Sequence, residues 1–292
     1  MEPSAWQLID DLAEFLDKAG DFLRSRPALH TVQLTVAEAL RARGPYVYGA
    51  GSPRFGVLCG ADGLVRATLL HTPPRPLNLT PLDPLDPPDA AALADHLADT
   101  GHQVPGVRAE RETAAAFAAA WRQRTGATVE QTERQRLYRL AELTPPDSTP
   151  PGRARVADAA DRELLARWYV EFAADTGGQG GQDPGRWADA RLAHGGATVW
   201  ETPEGTPVSL AGNLPESAGQ IRVAPVYTPA ALRGRGYAGA VTAEVSRRAA
   251  ETGAEVLLFT DLANPVSNRL YQRLGYRAVA DFAGWAFAAP VA

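Results

Sequence analysis

The chain has 292 residues, of which 45% are hydrophobic and 22% charged, and its formal net charge at pH 7 is −5. This composition is typical of a folded globular protein with one or two domains and excludes a disordered chain. The small negative charge favours neither nucleic acid nor an anionic membrane as a partner. Cys59 is the only cysteine, so an internal disulfide and a cysteine-based metal cluster are both excluded.

Residues 1–142 are predicted to form an N-terminal α/β domain. Apolar residues at helical spacing predict its helices, whereas the proline-rich segment 72–89 excludes a helix or a central strand. Short strands are predicted in residues 46–72, around a hairpin turn at Ala61-Asp62-Gly63. The segment "RQRLYRLAEL" predicts a closing strand. The predicted helices cover residues 4–24, 31–43, 90–99 and 110–125.

Residues 143–152 are rich in proline and are predicted to link two domains of similar size. The second domain, residues 153–292, is predicted to run in the order β-α-α-β-β-β-α-β-α-β. Its loop "DTGGQGGQDPGR" is expected to be flexible, because five of its twelve residues are glycine. A helix from about residue 236 to 252 follows the strand "GQIRVAPVYT". The fold class is therefore mixed α and β.

A glycine-rich loop precedes that helix. Gly234 to Gly239 spell G-x-G-x-x-G, the fingerprint of dinucleotide-binding folds, but that fold needs the strand to end directly at the first glycine. Here five residues separate the strand end near Thr228 from Gly234, and only 53 residues follow Gly239. A Walker A loop is excluded because no Gly-Lys-Ser/Thr follows. The loop still favours an anion, because amides at a helix start point together and Arg233 and Arg235 add positive charge.

The segment Arg233 to Ala238, "RGRGYA", fits the Q/R-x-x-G-x-G/A signature of GNAT-family N-acetyltransferases. The strand end "PVYTP" before it and "LLFTDLANPVSNRLYQRLGYR" after it are similar to the same family, as is the predicted element order. The resemblance implies a mixed, mostly antiparallel sheet flanked by helices over residues 153–292. It leaves three alternatives for residues 1–142: a degenerate copy of this fold, an unrelated domain that shapes the acceptor pocket, or a module for homodimerisation.

The resemblance also implies a site for acetyl-CoA as cosubstrate. The pantetheine arm would pair with the strand end and enter a V-shaped gap beside Leu257–Thr260, and the pyrophosphate would lie on the backbone amides of the loop. Tyr271 would protonate the departing thiolate. The residues implied to bind acetyl-CoA are Val226, Tyr227, Thr228, Arg233, Gly234, Arg235, Gly236, Tyr237, Ala238, Asn264 and Asn268.

The general base is left unassigned, because the strand before the loop reads Gln220-Ile221-Arg222-Val223 where many family members carry a glutamate. Glu171, Asp175, Glu216 and His194 are candidates, and ordered water or an amine that arrives neutral would also suffice. The five histidines never stand at metal-ligand spacing, so no metal is expected.

The resemblance therefore implies an acetyl-CoA-dependent N-acetyltransferase that transfers the acetyl group directly to a primary amine of a small molecule or a peptide. The alternative is a non-catalytic protein of the same fold that binds or senses acyl-CoA. The first twenty residues lack an apolar run of signal-peptide length, so a soluble cytoplasmic protein is expected.

Overall fold

The computed structural model describes residues 6–82, 87–177 and 183–289. These residues form two compact units. The first unit contains the described residues up to Leu137, together with Asp261–Ala263 and the residues from Val279 onward, and the second contains Tyr138–Thr260 and Asn264–Ala278. Residues 143–152, predicted as a linker, belong to the second unit. Residues 178–182 of the loop expected to be flexible lie outside the described residues.

The two halves of the chain have the same order of elements. The first half contains β1 (Trp6–Ile9), α1 (Leu12–Ser25), α2 (Thr31–Arg43), β2 (Arg54–Cys59), β3 (Val65–His71), β4 (Leu77–Leu79), α3 (Pro87–Asp99), β5 (Gly106–Glu110), α4 (Arg111–Thr125) and β6 (Thr128–Leu140). The second half contains β7 (Arg153–Val156), α5 (Arg162–Asp175), α6 (Pro184–Ala193), β8 (Ala197–Glu201), β9 (Pro207–Asn213), β10 (Gln220–Tyr227), α7 (Tyr237–Glu251), β11 (Glu255–Asp261), α8 (Pro265–Arg273) and β12 (Tyr276–Ala288). The order β-α-α-β-β-β-α-β-α-β thus occurs twice.

Strand pairing repeats as well. In the first unit β1, β2, β3 and β4 pair antiparallel in sequence, and β4 then pairs parallel with β5. In the second unit β7, β8, β9 and β10 pair antiparallel, and β10 then pairs parallel with β11. Of the three alternatives for the first half, a copy of the fold of the second half is therefore the one found.

The sheet of the first unit is completed by the end of the chain. Residues Phe282–Ala286 of β12 pair antiparallel with Gly106–Glu110 of β5. The ion pair between Arg136 and Asp281, with Nε to Oδ1 at 2.6 Å, lies in the same unit. The first unit is therefore not one continuous stretch of sequence.

Two predictions for the first half are wrong. The helix predicted over residues 4–24 begins only at Leu12, because the Asp11 side chain accepts the Glu14 backbone N–H at 2.8 Å and caps the helix there. The residues before it form β1, in which Trp6 lies opposite Leu58 of β2. The proline-rich segment also contains a central strand. Leu77–Leu79 contains no proline and pairs with β3 on one side and β5 on the other.

The second unit has a core on each face of its sheet. On one face α7 and α8 cover β9, β10 and β11, with Val241, Val245 and Tyr271 buried against the strands. On the other face α5 and α6 cover β8, β9 and the end of β10, where Trp168 and Tyr227 are buried. Alternation along a strand sends neighbouring residues of β10 to opposite faces. Among the described residues, no helix combines the length and apolarity needed to cross a membrane.

A glycine after α8 allows a close approach of two backbone segments. Gly275 has φ +94°, and a Cβ on it would lie 1.8 Å from the Glu142 carbonyl oxygen. Gly275→Ala is therefore expected to lower the free energy of unfolding by about 2 kcal/mol. Gly205 in the β8–β9 turn has φ +81° with nothing within 4 Å, so Gly205→Ala carries the same backbone strain without the clash. Equal losses of stability in urea unfolding of the two variants would contradict the clash.

Candidate acyl-CoA site

The end of strand β10 separates from its parallel neighbour. Gln220–Val223 pair with Glu255–Leu258 of β11, and the parallel register stops there. The later residues of β10 stay paired with β9 only, where Val226 lies opposite Ala211 and a register irregularity follows Val223. A gap therefore opens between the last residues of both strands. Val226 and Tyr227 lie at its edge, as the resemblance implies, and the gap begins one residue beyond Leu258.

A helix start without a side-chain cap follows this strand end. Gly236 is the N-cap of α7 and has φ +84°, and Gly234 has φ +78°. No side chain caps the helix, and its first hydrogen bond with Gly236 as acceptor comes from the Ala240 N–H. The amides of the first turn, including those of Tyr237 and Ala238, therefore have no helical acceptor, and the helix dipole adds positive potential there. The start of α7 therefore has the features that suit an anion.

The two arginines of the loop make different contacts. The Arg233 guanidinium donates through Nε to the Thr228 carbonyl oxygen at 2.9 Å and forms an ion pair with Asp175. Arg235 donates through Nη2 to the Ala231 carbonyl oxygen at 3.2 Å. Arg233 thus stabilises the loop between β10 and α7, and half of its side chain remains exposed. The positive charge of the Arg233 guanidinium therefore lies beside the free amides, where it would attract an anion.

The two asparagines implied to contact acetyl-CoA have structural partners in α8. Asn264 is the N-cap of this helix, and its Oδ1 accepts the Ser267 backbone N–H at 3.1 Å. Asn268 accepts the Tyr138 hydroxyl at 3.0 Å and donates through Nδ2 to the Asn264 carbonyl oxygen at 2.8 Å. Both side chains therefore shape the start of α8. Their role toward a ligand stays a prediction.

Tyr271 lies on α8 and is buried on the face covered by α7 and α8, with 7% of its surface exposed. Its ring packs edge-on against Tyr276 at 6.0 Å between centroids. Burial raises the pKa of the Tyr271 hydroxyl to about 12, so the group keeps its proton at neutral pH. No described residue accepts or donates a hydrogen bond at this hydroxyl. The side chain can therefore serve as a proton donor.

The four candidate bases occupy different places. Both ring nitrogens of His194 contact carbonyl oxygens, Nδ1 that of Ala190 at 2.7 Å and Nε2 that of Asn213 at 3.1 Å, so this side chain closes α6. Glu216 is exposed and precedes the start of β10, about 13 Å of strand away from the point where the gap begins. Asp175 pairs with Arg233. Glu171 alone contacts the strand end, where its Oε2 accepts the Tyr227 hydroxyl at 2.8 Å.

Sequence reasoning missed a polar network around the end of β10. The Ser209 hydroxyl lies 3.0 Å from the Tyr227 carbonyl oxygen and 2.7 Å from the Thr228 hydroxyl. If Ser209 donates to the carbonyl, Thr228 must donate to Ser209. The network fixes the backbone where β10 leaves β11. Its members lie on β9 and at the end of β10, 18 and 19 positions apart in the chain, so no local pattern could have revealed it.

The corresponding loop of the first half is chemically different. It reads "TPLDPLDPPDA" after β4, where the second half reads "TPAALRGRGYA" after β10. Prolines have no N–H to offer an anion, and the aspartates would repel one. The described cavity of this unit beside β4 holds only about 10 Å³ and is lined by His30, Gln33 and Arg108 among others. The sequence of this loop therefore offers fewer N–H groups than that of the second half and contains no arginine.

Across the described residues, no group of three or more histidine, cysteine, aspartate or glutamate side chains could hold a metal ion.

Comparison with known proteins identifies a family model and solved structures that resemble this chain. Residues 206–285 match the family model FR47-like protein. No curated protein matches the chain. Solved structures similar over almost the whole chain include a GCN5-related N-acetyltransferase from Sphaerobacter thermophilus, with 18% identity, TM-score 0.63, and 98% of this chain and 96% of that chain covered.

Two further structures share the fold over the full length. A GNAT-family acetyltransferase from Colwellia psychrerythraea has 11% identity and TM-score 0.58, with 97% of this chain and 99% of that chain covered. A tandem GNAT protein from the clavulanic acid biosynthesis pathway has 12% identity and TM-score 0.57, with 98% of this chain and 99% of that chain covered. At this identity, the likeness shows the fold alone. The chain therefore has the fold of the GNAT acetyltransferases, and its residues 206–285 match the FR47-like family model.

Proposed function

We propose that the second unit is an acetyl-CoA-dependent N-acetyltransferase that moves an acetyl group directly to a primary amine. The observation that carries this proposal is the uncapped start of α7 at Gly236, nine residues after the last residue of a strand that leaves its parallel neighbour. The free amides suit the pyrophosphate of a coenzyme, and the gap between β10 and β11 suits an extended arm that adds to β10 as a strand would.

In this reaction, different residues of the chain would have different roles. The loop from Arg233 to Ala238 would hold the pyrophosphate, and the backbone near Val226 would polarise the thioester carbonyl. Tyr271, which keeps its proton at neutral pH, would donate it to the departing sulfur. Coenzyme A, when bound, supplies the activated acyl group as a thioester. Because the first half has prolines and aspartates in the corresponding loop, we assign the coenzyme to the second unit only.

Thermal unfolding with acetyl-CoA, with CoA and with NADH tests the coenzyme. A ligand at about 100 times its Kd stabilises the unit that binds it by about 2.7 kcal/mol. We expect acetyl-CoA and CoA to raise Tm and NADH not to. Gly236→Asp should abolish the shift, because it places a negative charge among the amides that would hold phosphate.

Gly205→Asp is the matched control, since it puts the same side chain on a glycine of similar φ in the β8–β9 turn. This variant should keep the full response to acetyl-CoA. A response to NADH and none to acetyl-CoA would contradict the proposal, as would an unchanged acetyl-CoA response in Gly236→Asp.

A further inference from the structure

A carboxylate is fixed at the open end of β10. Tyr227 is the last residue of this strand and lies beyond the point where β10 leaves β11. Its hydroxyl donates to Oε2 of Glu171, a residue of α5, at 2.8 Å. Its ring packs against Trp168 and Phe172 of the same helix. Burial and the neighbouring Glu171 carboxylate raise the pKa of Tyr227 to about 12, so the tyrosine remains a donor at neutral pH. The Glu171 carboxylate is thus held by one oxygen.

The other oxygen of Glu171 is available for a ligand. It lies 3.8 Å from Arg167 Nε, a long and solvent-exposed ion pair, and 40% of the Glu171 side chain is exposed. Asp175, one turn later on α5, is paired with Arg233 and is also hydrogen-bonded by it. Of the two carboxylates near the strand end, Glu171 is the one that contacts the strand itself, through Tyr227, whereas Asp175 is paired with the Arg233 guanidinium of the loop.

Glu171 and Tyr271 approach the sheet from opposite faces. Tyr227, which contacts Glu171, belongs to the core under α5 and α6, whereas Tyr271 belongs to the core under α7 and α8. An acyl transfer needs a proton removed from the attacking nitrogen on one side of the carbonyl and a proton given to sulfur on the other. The two side chains are placed to separate these roles.

We infer that Glu171 is the general base of the acetyl transfer and that the acceptor is an amine that carries a positive charge in solution. This inference rests on the proposed acetyltransferase function. The ammonium donates a hydrogen bond to Glu171 and then loses one proton to this carboxylate, which passes it to solvent. The neutral nitrogen forms a bond to the acetyl carbon while the carbon–sulfur bond breaks. Sulfur takes the Tyr271 proton, and the second proton lost by nitrogen restores Tyr271 through solvent.

Tyr227 is the positioning residue in this scheme. Its hydroxyl donates to Glu171 Oε2 and acts through this carboxylate, so its removal should weaken the base without eliminating it. The scheme also explains why β10 needs no glutamate of its own. The carboxylate is supplied by the helix that covers the strand end.

The experiment measures kcat/KM against pH for wild type and Glu171→Gln. The acceptors are butylamine, 1,4-diaminobutane and benzylamine, with aniline as an acceptor that is already neutral at pH 7. General-base loss should lower kcat/KM for the alkyl amines about 100-fold at pH 7. This deficit should shrink as the pH rises and the amine arrives neutral, and it should be small with aniline at every pH. Tyr227→Phe should give the same pH signature with a smaller loss.

Glu163→Gln is the matched control, because Glu163 lies on the same helix at its other end and is largely exposed beside Arg162. It should behave as wild type. Stabilisation of each variant by acetyl-CoA reports that the fold and the coenzyme site are intact. A pH-independent loss in Glu171→Gln, or no loss, in an active wild-type background overturns this inference alone. A wild type that binds acetyl-CoA but acetylates none of these amines or a broader amine library overturns the proposed function, and this inference falls with it.

Discussion

Replacing Tyr271 with phenylalanine is expected to lower kcat about 1,000-fold while leaving the affinity for acetyl-CoA unchanged. Phenylalanine fills the same buried volume beside Tyr276, so the core under α7 and α8 stays packed. Only the hydroxyl is lost, and burial gives that hydroxyl a pKa of about 12, which keeps it protonated at working pH. Steady-state rates with saturating acetyl-CoA, together with calorimetric Kd values, measure the two quantities.

Tyr276→Phe is the control for this prediction. Tyr276 is equally buried, but its hydroxyl is engaged by Ser246 at 2.7 Å and is not placed in the reaction. Its loss should cost about 1 kcal/mol of stability and little turnover. A kcat unchanged in Tyr271→Phe would remove this residue from the mechanism. Coenzyme binding without turnover in wild type would favour the alternative of a protein that binds or senses acyl-CoA.

Acidification from pH 7 to pH 4.5 is expected to destabilise the first unit through two buried histidines. Burial lowers the pKa of both His30 and His71 to about 4 from an ordinary 6.5, so the folded state holds each as the neutral form. The unfolded chain binds more protons below pH 6.5, and stability is therefore full above that pH and is lost as pH falls toward 4. For each histidine, the difference between the pKa values of the unfolded and folded states corresponds to about 3 kcal/mol of unfolding free energy.

The hydrogen bonds around these histidines agree with neutral rings. His30 Nδ1 lies 3.0 Å from the Leu23 carbonyl oxygen and can donate to it, and its buried Nε2 has no hydrogen-bond partner among the described residues. His71 Nε2 lies 2.9 Å from the Arg75 carbonyl oxygen, and its Nδ1 lies 2.7 Å from His102 Nε2. A donor on Nε2 leaves Nδ1 of His71 as the acceptor. A second proton would have to enter where His102 already donates.

Positive charges nearby oppose protonation further. Arg26 lowers the pKa of His30, and Arg54 lowers that of His102. Urea unfolding followed by circular dichroism between pH 7.5 and pH 4.5 measures the effect. His71→Gln should lower stability at pH 7 through its lost hydrogen bonds but should reduce the slope with pH, because one of the histidines with a lowered pKa is removed. A stability that does not change over this range in the wild type would contradict the prediction.

Several features of this protein follow from local sequence alone. The order of elements in residues 153–292 is found as predicted, because apolar periodicity and turn residues are properties of short segments. The same is true of α7, predicted from about residue 236 to 252 and found at Tyr237–Glu251. Glycines in the left-handed conformation, followed by a helix with no capping side chain, define the proposed anion site within a few residues. A structural feature made by a few consecutive residues can be predicted from the local sequence.

Other features required the tertiary structure. Leu77–Leu79 is a strand because it pairs with β3 on one side and with β5 on the other. The prolines that flank it argue against a strand when only the local sequence is considered. Trp6–Ile9 is a strand because β2 pairs with it, although the Asp11–Glu14 spacing of a helix cap was a signal that the helix starts later. Strand propensity depends on the neighbouring strand more than on the residues themselves.

The candidate base is the clearest case of this division. The sequence predicted which loop would offer amides to an anion and which tyrosine of α8 would be the proton donor. It could not choose among Glu171, Asp175, Glu216 and His194, because each is an ordinary polar residue in its own segment. The tertiary structure decided by bringing Glu171 to 2.8 Å from the hydroxyl of Tyr227, a residue 56 positions later in the chain. Contacts at such separation are set by packing of the helix on the sheet, which no short window of sequence encodes.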